Sequence, residues 1–117
     1  MSQSPQSIIE QAWEHRELLK EKETEIAIKT IIADLDAGNL RVAEPLENGD
    51  WQVNDWVKKA VILYFPIQKM QTIEVGPFEF HDKMPLKRNY AEKGVRVVPH
   101  AVAREGAFIA SGVILMP

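Results

Sequence analysis

The chain has 117 residues, 45% hydrophobic and 26% charged, with a formal net charge of −3 and no cysteine. That length holds one modest core, and the acidic balance argues against nucleic acid or an anionic membrane as the main partner. The missing thiols exclude disulfides, cysteine-ligated zinc and thiol catalysis. Met1 to Gln6 has neither the basic nor the apolar segment of a secretory leader. The longest apolar run, Ala60 to Phe65, falls well short of the roughly 20 residues that span a bilayer. The expectation is a soluble, cytoplasmic protein.

Two helices are predicted first. Ser4 ahead of Pro5 is a start signal, an oxygen acceptor before a residue that needs no amide donor. Ile8, Ala12, His15 and Leu19 recur at helical spacing, with Trp13 one turn beyond Ile9 and Glu10, Glu14, Arg16 and Glu17 on the polar faces. After a charged break at Lys20 to Glu23, Thr24 is the expected cap of a second helix. Its apolar stripe is Ile28, Ile31, Ile32 and Leu35, and Gly38 ends it.

The middle third predicts a hairpin and a third helix. Leu40 to Ala43 is strand-like, Asn48-Gly49 is a tight-turn signal, and Trp51 to Val53 pairs back. Asn54 or Asp55 then caps a helix with Val57, Ala60, Val61 and Tyr64 on one face, stopped by Pro66. Thr72 to Val75 and Phe78 to Phe80 alternate apolar and polar around a Gly-Pro break, as strands do. Asp82 to Lys93 reads as a polar, basic connection, and Val95 to Pro99 as a further strand.

From Ala103 a six-residue period sets in. Ala103, Ile109 and Leu115 are spaced by six, Ala107 and Val113 repeat at the fifth place, and Gly106 and Gly112 fall at the preceding turns. Hexads of this kind build parallel β-helices, each flat face taking one hexad with its aliphatic residue inward. The period breaks off at residue 117, so the expected chain is the front piece of a larger enzyme. Phe108, Ile109, Val113, Ile114 and Leu115 are then expected as an uncovered apolar patch beside an open strand edge, prone to association.

Several separated strings resemble tetrahydrodipicolinate N-succinyltransferases, in the same order and with similar gaps. They are Leu40-Arg41-Val42-Ala43-Glu44, Trp51 and Trp56 leading into Lys58-Lys59-Ala60-Val61, Asp82-Lys83-Met84-Pro85, Val95-Arg96-Val97-Val98-Pro99, and Gly106-Ala107-Phe108-Ile109-Ala110 with Leu115-Met116-Pro117. The resemblance implies transfer of a succinyl group from succinyl-CoA to the amine of a cyclic dicarboxylic acid in lysine and diaminopimelate synthesis. It implies a homotrimer of left-handed β-helices with a helical N-terminal domain and active sites between subunits. It puts the main catalytic carboxylates beyond residue 117, so no catalytic residue is expected in this chain, and the chain alone is expected to be inactive.

Acyl transfer to an amine needs a base, oxyanion donors and cations for the substrate carboxylates. Only the cations have candidates here. Arg96, between Val95 and Val97, has a guanidinium fork suited to a carboxylate, and the resemblance makes it the substrate-binding arginine. Lys83, Lys87 and Arg88 form a basic loop that could border substrate or CoA phosphates, or be solvated surface; Arg104 is weighed the same way. His15, His81 and His100 share no metal-ligand spacing, so no metal is expected. Asp50, Asp82 and Glu105 are not spaced for joint acid–base work, and no phosphate loop is present. Trp13, Trp51 and Trp56 are expected as core anchors.

The reading is thus an α+β fold: a helical domain at 1–66, a short-strand connector at 67–100, and the start of a left-handed β-helix at 101–117. No cofactor is expected to be bound, succinyl-CoA being a co-substrate. A rival reading is a non-catalytic interaction or oligomerisation module that retains only the helical domain.

Overall fold

The structure, a computed structural model, describes residues 3–117. Helix α1 spans Pro5–Glu14, and Ser4 Oγ accepts from the Ser7 N–H at 3.2 Å, as its place before proline dictates. The helix buries Ile8, Ile9 and Ala12 and then stops, so His15 and Leu19 do not continue its stripe. His15 leaves helical geometry at φ −130°, and Arg16–Lys20 form a 3-10 turn. That tighter turn carries Leu18 and Leu19 back against the core while His15 stays exposed.

Helix α2 spans Lys22–Ala37, beginning two residues before the expected Thr24 cap. Thr24 lies inside the helix and is buried, and Glu21 caps without a side-chain bond. Glu23 and Glu25 in the first turn complement the helix dipole instead. The stripe of Ile28, Ile31, Ile32 and Leu35 is buried as its spacing requires. Gly38 ends the helix at φ 82°; its N–H reaches Leu35 O and that of Asn39 reaches Asp34 O, a Schellman closure.

The hairpin is shifted from its expected first arm. Strand β1 is Ala43–Pro45, paired antiparallel with β2, Trp51–Val53, in the register Ala43↔Val53. Ala43, Pro45, Trp51 and Val53 therefore share one face. All four are exposed, and Trp51, 67% exposed, is no core anchor, whereas Trp13 and Trp56 pack against the core. Helix α3 spans Asp55–Ile67 and contains Pro66, ending one residue beyond it. A proline in the last turn removes only one late hydrogen bond, so the helix closes there instead of breaking earlier.

The core lies where α1, α2 and α3 meet, with Ile9, Ile28, Ile31, Val57 and Leu63 fully buried. Each such side chain contributes about 1.5–3 kcal/mol by leaving water. Strands β3, Gln71–Val75, and β4, Phe78–Asp82, pair antiparallel about Gly76. The stretch expected as plain connection holds a single helical turn, α4, Tyr90–Lys93, closed by Gly94 at φ 72°.

Strands β5, Arg96–Val97, and β6, Ile114–Leu115, pair in parallel with Arg96 opposite Ile114 and Val97 opposite Leu115. Partners are eighteen positions apart, which is three hexads. Val97, Ala103, Ile109 and Leu115, each six after the last, are all half-buried, while the residue before each of them is exposed. Of the five residues expected to form an uncovered patch, Phe108 and Ile114 are exposed, Ile109, Val113 and Leu115 are half-buried, and none is buried. No helix among the described residues is long and apolar enough to cross a membrane.

Candidate functional site

Arg96 stands on β5, its backbone fixed by its N–H to Val113 O at 3.1 Å and by the N–H of Val98 to Leu115 O at 2.9 Å. In the hexad phase it takes the outward place immediately before Val97. Its side chain is exposed, and among the described residues no carboxylate comes within ion-pair distance of it. A guanidinium so placed keeps all five donors available to a carboxylate arriving from outside.

The other basic candidates do not converge on it. Lys87 is not part of a solvated loop: its side chain is 2% exposed and its Nζ donates to Asp36 Oδ1 at 2.5 Å. Arg104 Nη1 reaches Asp82 Oδ2 at 3.2 Å near the surface. The Asp82 carboxyl is held below its usual range first by the Lys83 N–H and then by Arg104 and the Met84 N–H, against partial desolvation. Lys83 and Arg88 border a cavity of about 160 Å³ with Gln68, Gln71 and Asp82.

The histidines lie apart. His15 is at the end of α1, the His81 ring shares a hydrogen bond with Thr72 Oγ1 at 2.9 Å, and His100 meets the Phe78 ring edge-on at 4.7 Å. Among the described residues no group of three His, Cys, Asp or Glu could hold a metal ion. Asp50 sits in the β1–β2 turn, away from Asp82 and Glu105.

Two polar contacts lie outside the sequence reading. Tyr64, buried on α3, donates its hydroxyl to Glu105 Oε2 at 3.3 Å. Desolvation, reinforced by the Glu105 charge, pushes its phenol up to about 12. Asp36, in the last turn of α2, accepts from Lys87 and also from the Gly106 N–H at 3.0 Å. Desolvation pushes its carboxyl up, but the bonds from Lys87 and Gly106 prevail and hold it below the usual carboxylate range. The only trace of Asp36 in the sequence is that Asp34 and Asp36 occupy a C-terminal turn, where the helix dipole disfavours acids.

Comparison with known proteins places these features. The family described as tetrahydrodipicolinate N-succinyltransferase N-terminal matches residues 4–67. A 2,3,4,5-tetrahydropyridine-2,6-dicarboxylate N-succinyltransferase from Paracidovorax citrulli (strain AAC00-1) is 49% identical across all of this chain and 46% of its own length. Proteins of the same name from Polynucleobacter asymbioticus and Leptothrix cholodnii are 45% and 46% identical over the same shares. The chain thus spans about half the length of the curated relatives it matches. With a matched stretch that covers all three core helices, the chain belongs to the tetrahydrodipicolinate N-succinyltransferase N-terminal family.

Proposed function

We propose that the chain forms the N-terminal portion of an acyltransferase that moves a succinyl group from succinyl-CoA to the amine of tetrahydrodipicolinate, in lysine and diaminopimelate biosynthesis. The observation that carries this reading is the identity of 45–49% over the whole chain with relatives bearing that enzyme's name. In this reading residues 1–66 are the helical domain, 67–100 the connector and 101–117 the start of a left-handed β-helix. The eighteen-position offset between β5 and β6 supports the last assignment, since three hexads make one closed turn of such a coil. The working enzyme is a cytoplasmic homotrimer in the same proposal, and no cofactor or metal is required.

The nucleophile in this reaction is the amine of the acceptor, so no covalent enzyme intermediate is needed. Arg96 binds a carboxylate of the acceptor and orients the amine toward the thioester carbonyl. Arg104 and Lys83 could also meet an anionic group, because the Arg104–Asp82 pair is exposed and exchanges at little cost. Lys87 would have to abandon Asp36 and leave a site where its own side chain is 2% exposed, breaking the pair that holds it. In this proposal the proton-accepting and oxyanion-stabilising groups lie outside residues 1–117, so the chain alone should not catalyse transfer.

The test joins residues 1–117 to the remaining part of the Paracidovorax citrulli relative and follows release of free CoA thiol. The chain alone should release none, whereas the joined protein should. In it, Arg96→Ala should raise KM for the dicarboxylate by roughly 100-fold, the equivalent of about 3 kcal/mol for a lost charge-assisted pair. KM for succinyl-CoA should stay nearly unchanged. Turnover by the chain alone, or an Arg96→Ala protein with normal KM values, would refute the assignment.

A further inference from the structure

Three chain segments meet at one side chain, and that side chain breaks a local rule. Helix α2 ends with Asp34 and Asp36 and no base in its last turn, against the preference of the helix dipole for cations there. A local preference overridden in this way points to a tertiary demand. The demand is visible: Asp36 Oδ1 accepts from Lys87 Nζ on one side and from the Gly106 N–H on the other. Segment 85–87 is itself laid along the first hexad, with the Lys87 N–H on Ala103 O at 3.0 Å and the Glu105 N–H on Pro85 O at 2.8 Å. Beside this junction the Phe108 ring lies over Gly38, where an added Cβ would come within 2.8 Å of it, and Arg41 stacks on the ring at 5.2 Å.

We propose that Asp36 is the joint by which the helical layer holds the hexad strands in place, a positioning residue whose loss uncouples β5 and β6 from the three-helix core. The inference stands independently of the acyl-transfer reading, since it concerns only contacts within this chain. Its logic is that of a buried pair. Among the described residues Lys87, almost without exposure, has this one carboxylate for a partner, so removal of Asp36 strands a charge that water barely reaches. Removal of Lys87 leaves a carboxylate 26% exposed with only the Gly106 N–H. With Asp36 removed, the Gly106 N–H also loses its acceptor, at the turn that leads into Phe108 and Ile109. The core of α1, α2 and α3 contains no atom of the joint and should keep its packing. The other charged groups facing the junction are Arg88 on segment 85–89, Lys93 on α4 and Glu105 on the hexad, and none of them bonds to Asp36.

Residue-resolved amide exchange on the full 117-residue chain tests this, with Asp36→Ala, Lys87→Met and the double replacement Asp36→Leu with Lys87→Met. Each single change should speed exchange at the Arg96, Val98, Lys87 and Glu105 amides by roughly 10-fold or more, and at Ile32 and Leu63 by less than about 3-fold, as expected when one cooperative unit opens without the other. The double replacement, which leaves no unpaired charge, should disturb the rung less than either single change. Asp36→Asn keeps an oxygen for Gly106 and should show the same partition at smaller size, so it serves if Asp36→Ala does not fold. Equal acceleration in the helices and the rung, an undisturbed rung, or a double variant as perturbed as the singles would each overturn the proposal.

Discussion

Gly38→Ala probes the junction of helix and hexad through one methyl group, with two separable effects. Gly38 has φ 82°, so any Cβ there meets the left-handed penalty, about 1 kcal/mol. The second effect is contact: the new methyl would lie 2.8 Å from two carbons of the Phe108 ring, inside van der Waals distance. Because Phe108 is 42% exposed, its ring can swing outward instead of jamming, and the loss is then the ring's buried share. Roughly half of a phenylalanine's burial is about 1 kcal/mol. The total is about 2 kcal/mol, of which about 1 should vanish in a Phe108→Ala background, where the methyl meets open space. Urea unfolding followed by helix circular dichroism on the four proteins of this cycle measures both parts. With a slope near 1–2 kcal/mol per molar urea, the midpoint should fall by roughly 1–2 M in the parent and by about half that in Phe108→Ala. An equal fall in both backgrounds would mean that the ring does not lie over Gly38. A negligible fall in the parent would mean that α2 does not end in a left-handed residue.

Leu63→Ala, at a fully buried position in the centre of the core, should destabilise the chain by about 2–5 kcal/mol, read from the same unfolding curves. Of the two tyrosines, Tyr64 should ionise near pH 12 when its phenolate absorbance is read after a rapid pH jump, and Tyr64→Phe should remove that late step. Its folded value lies above the unfolded value of 10.0, so its contribution is complete below pH 10 and lost as pH rises toward 12. Asp36 has the opposite sign. With its folded value below 3.8, its contribution is present above that pH and lost as pH falls further, so the parent should lose stability between about pH 4 and 2 more steeply than Asp36→Asn.

The helical core was legible because its evidence is local and redundant. Ile28, Ile31, Ile32 and Leu35 announce one face by spacing alone, and Ser4-Pro5 and Gly38 mark ends through backbone chemistry that needs no partner. Errors gathered where a second influence outweighed spacing. The 3-10 turn at Arg16–Lys20 turned Leu18 and Leu19 back to the core and left His15 exposed. With no basic residues interleaved around it, Trp51 is expected as a core anchor, but it sits on the exposed face of a hairpin of three-residue strands. Lys87 lay in a run of basic residues that read as surface. Its burial depends on Asp36, 51 positions earlier, and no periodicity reports a pair so far apart.

The hexads show how a signal can be present and still be cut short. The period is evident only from Ala103, because Val95 to Pro99 alternates and so satisfies the rule for an ordinary strand. Extended one step back, the same count reaches Val97, and the ladder pairs Val97 with Leu115, the first and last of four aliphatic positions six apart. That step changes what Arg96 is. As one residue of an isolated strand, it has an even choice of faces and no fixed neighbour. As the residue before an inward Val97, it must point outward, in line with Val102, Phe108 and Ile114, which are all exposed. The same register that buries the aliphatic places therefore fixes the guanidinium on the outer surface of the rung, supported by backbone bonds to Val113 and Leu115 on either side. The carboxylate-binding role proposed for Arg96 thus requires the period that Val97 shares, and a substitution that shifts the β5–β6 pairing by one residue would turn Arg96 inward, away from any carboxylate outside.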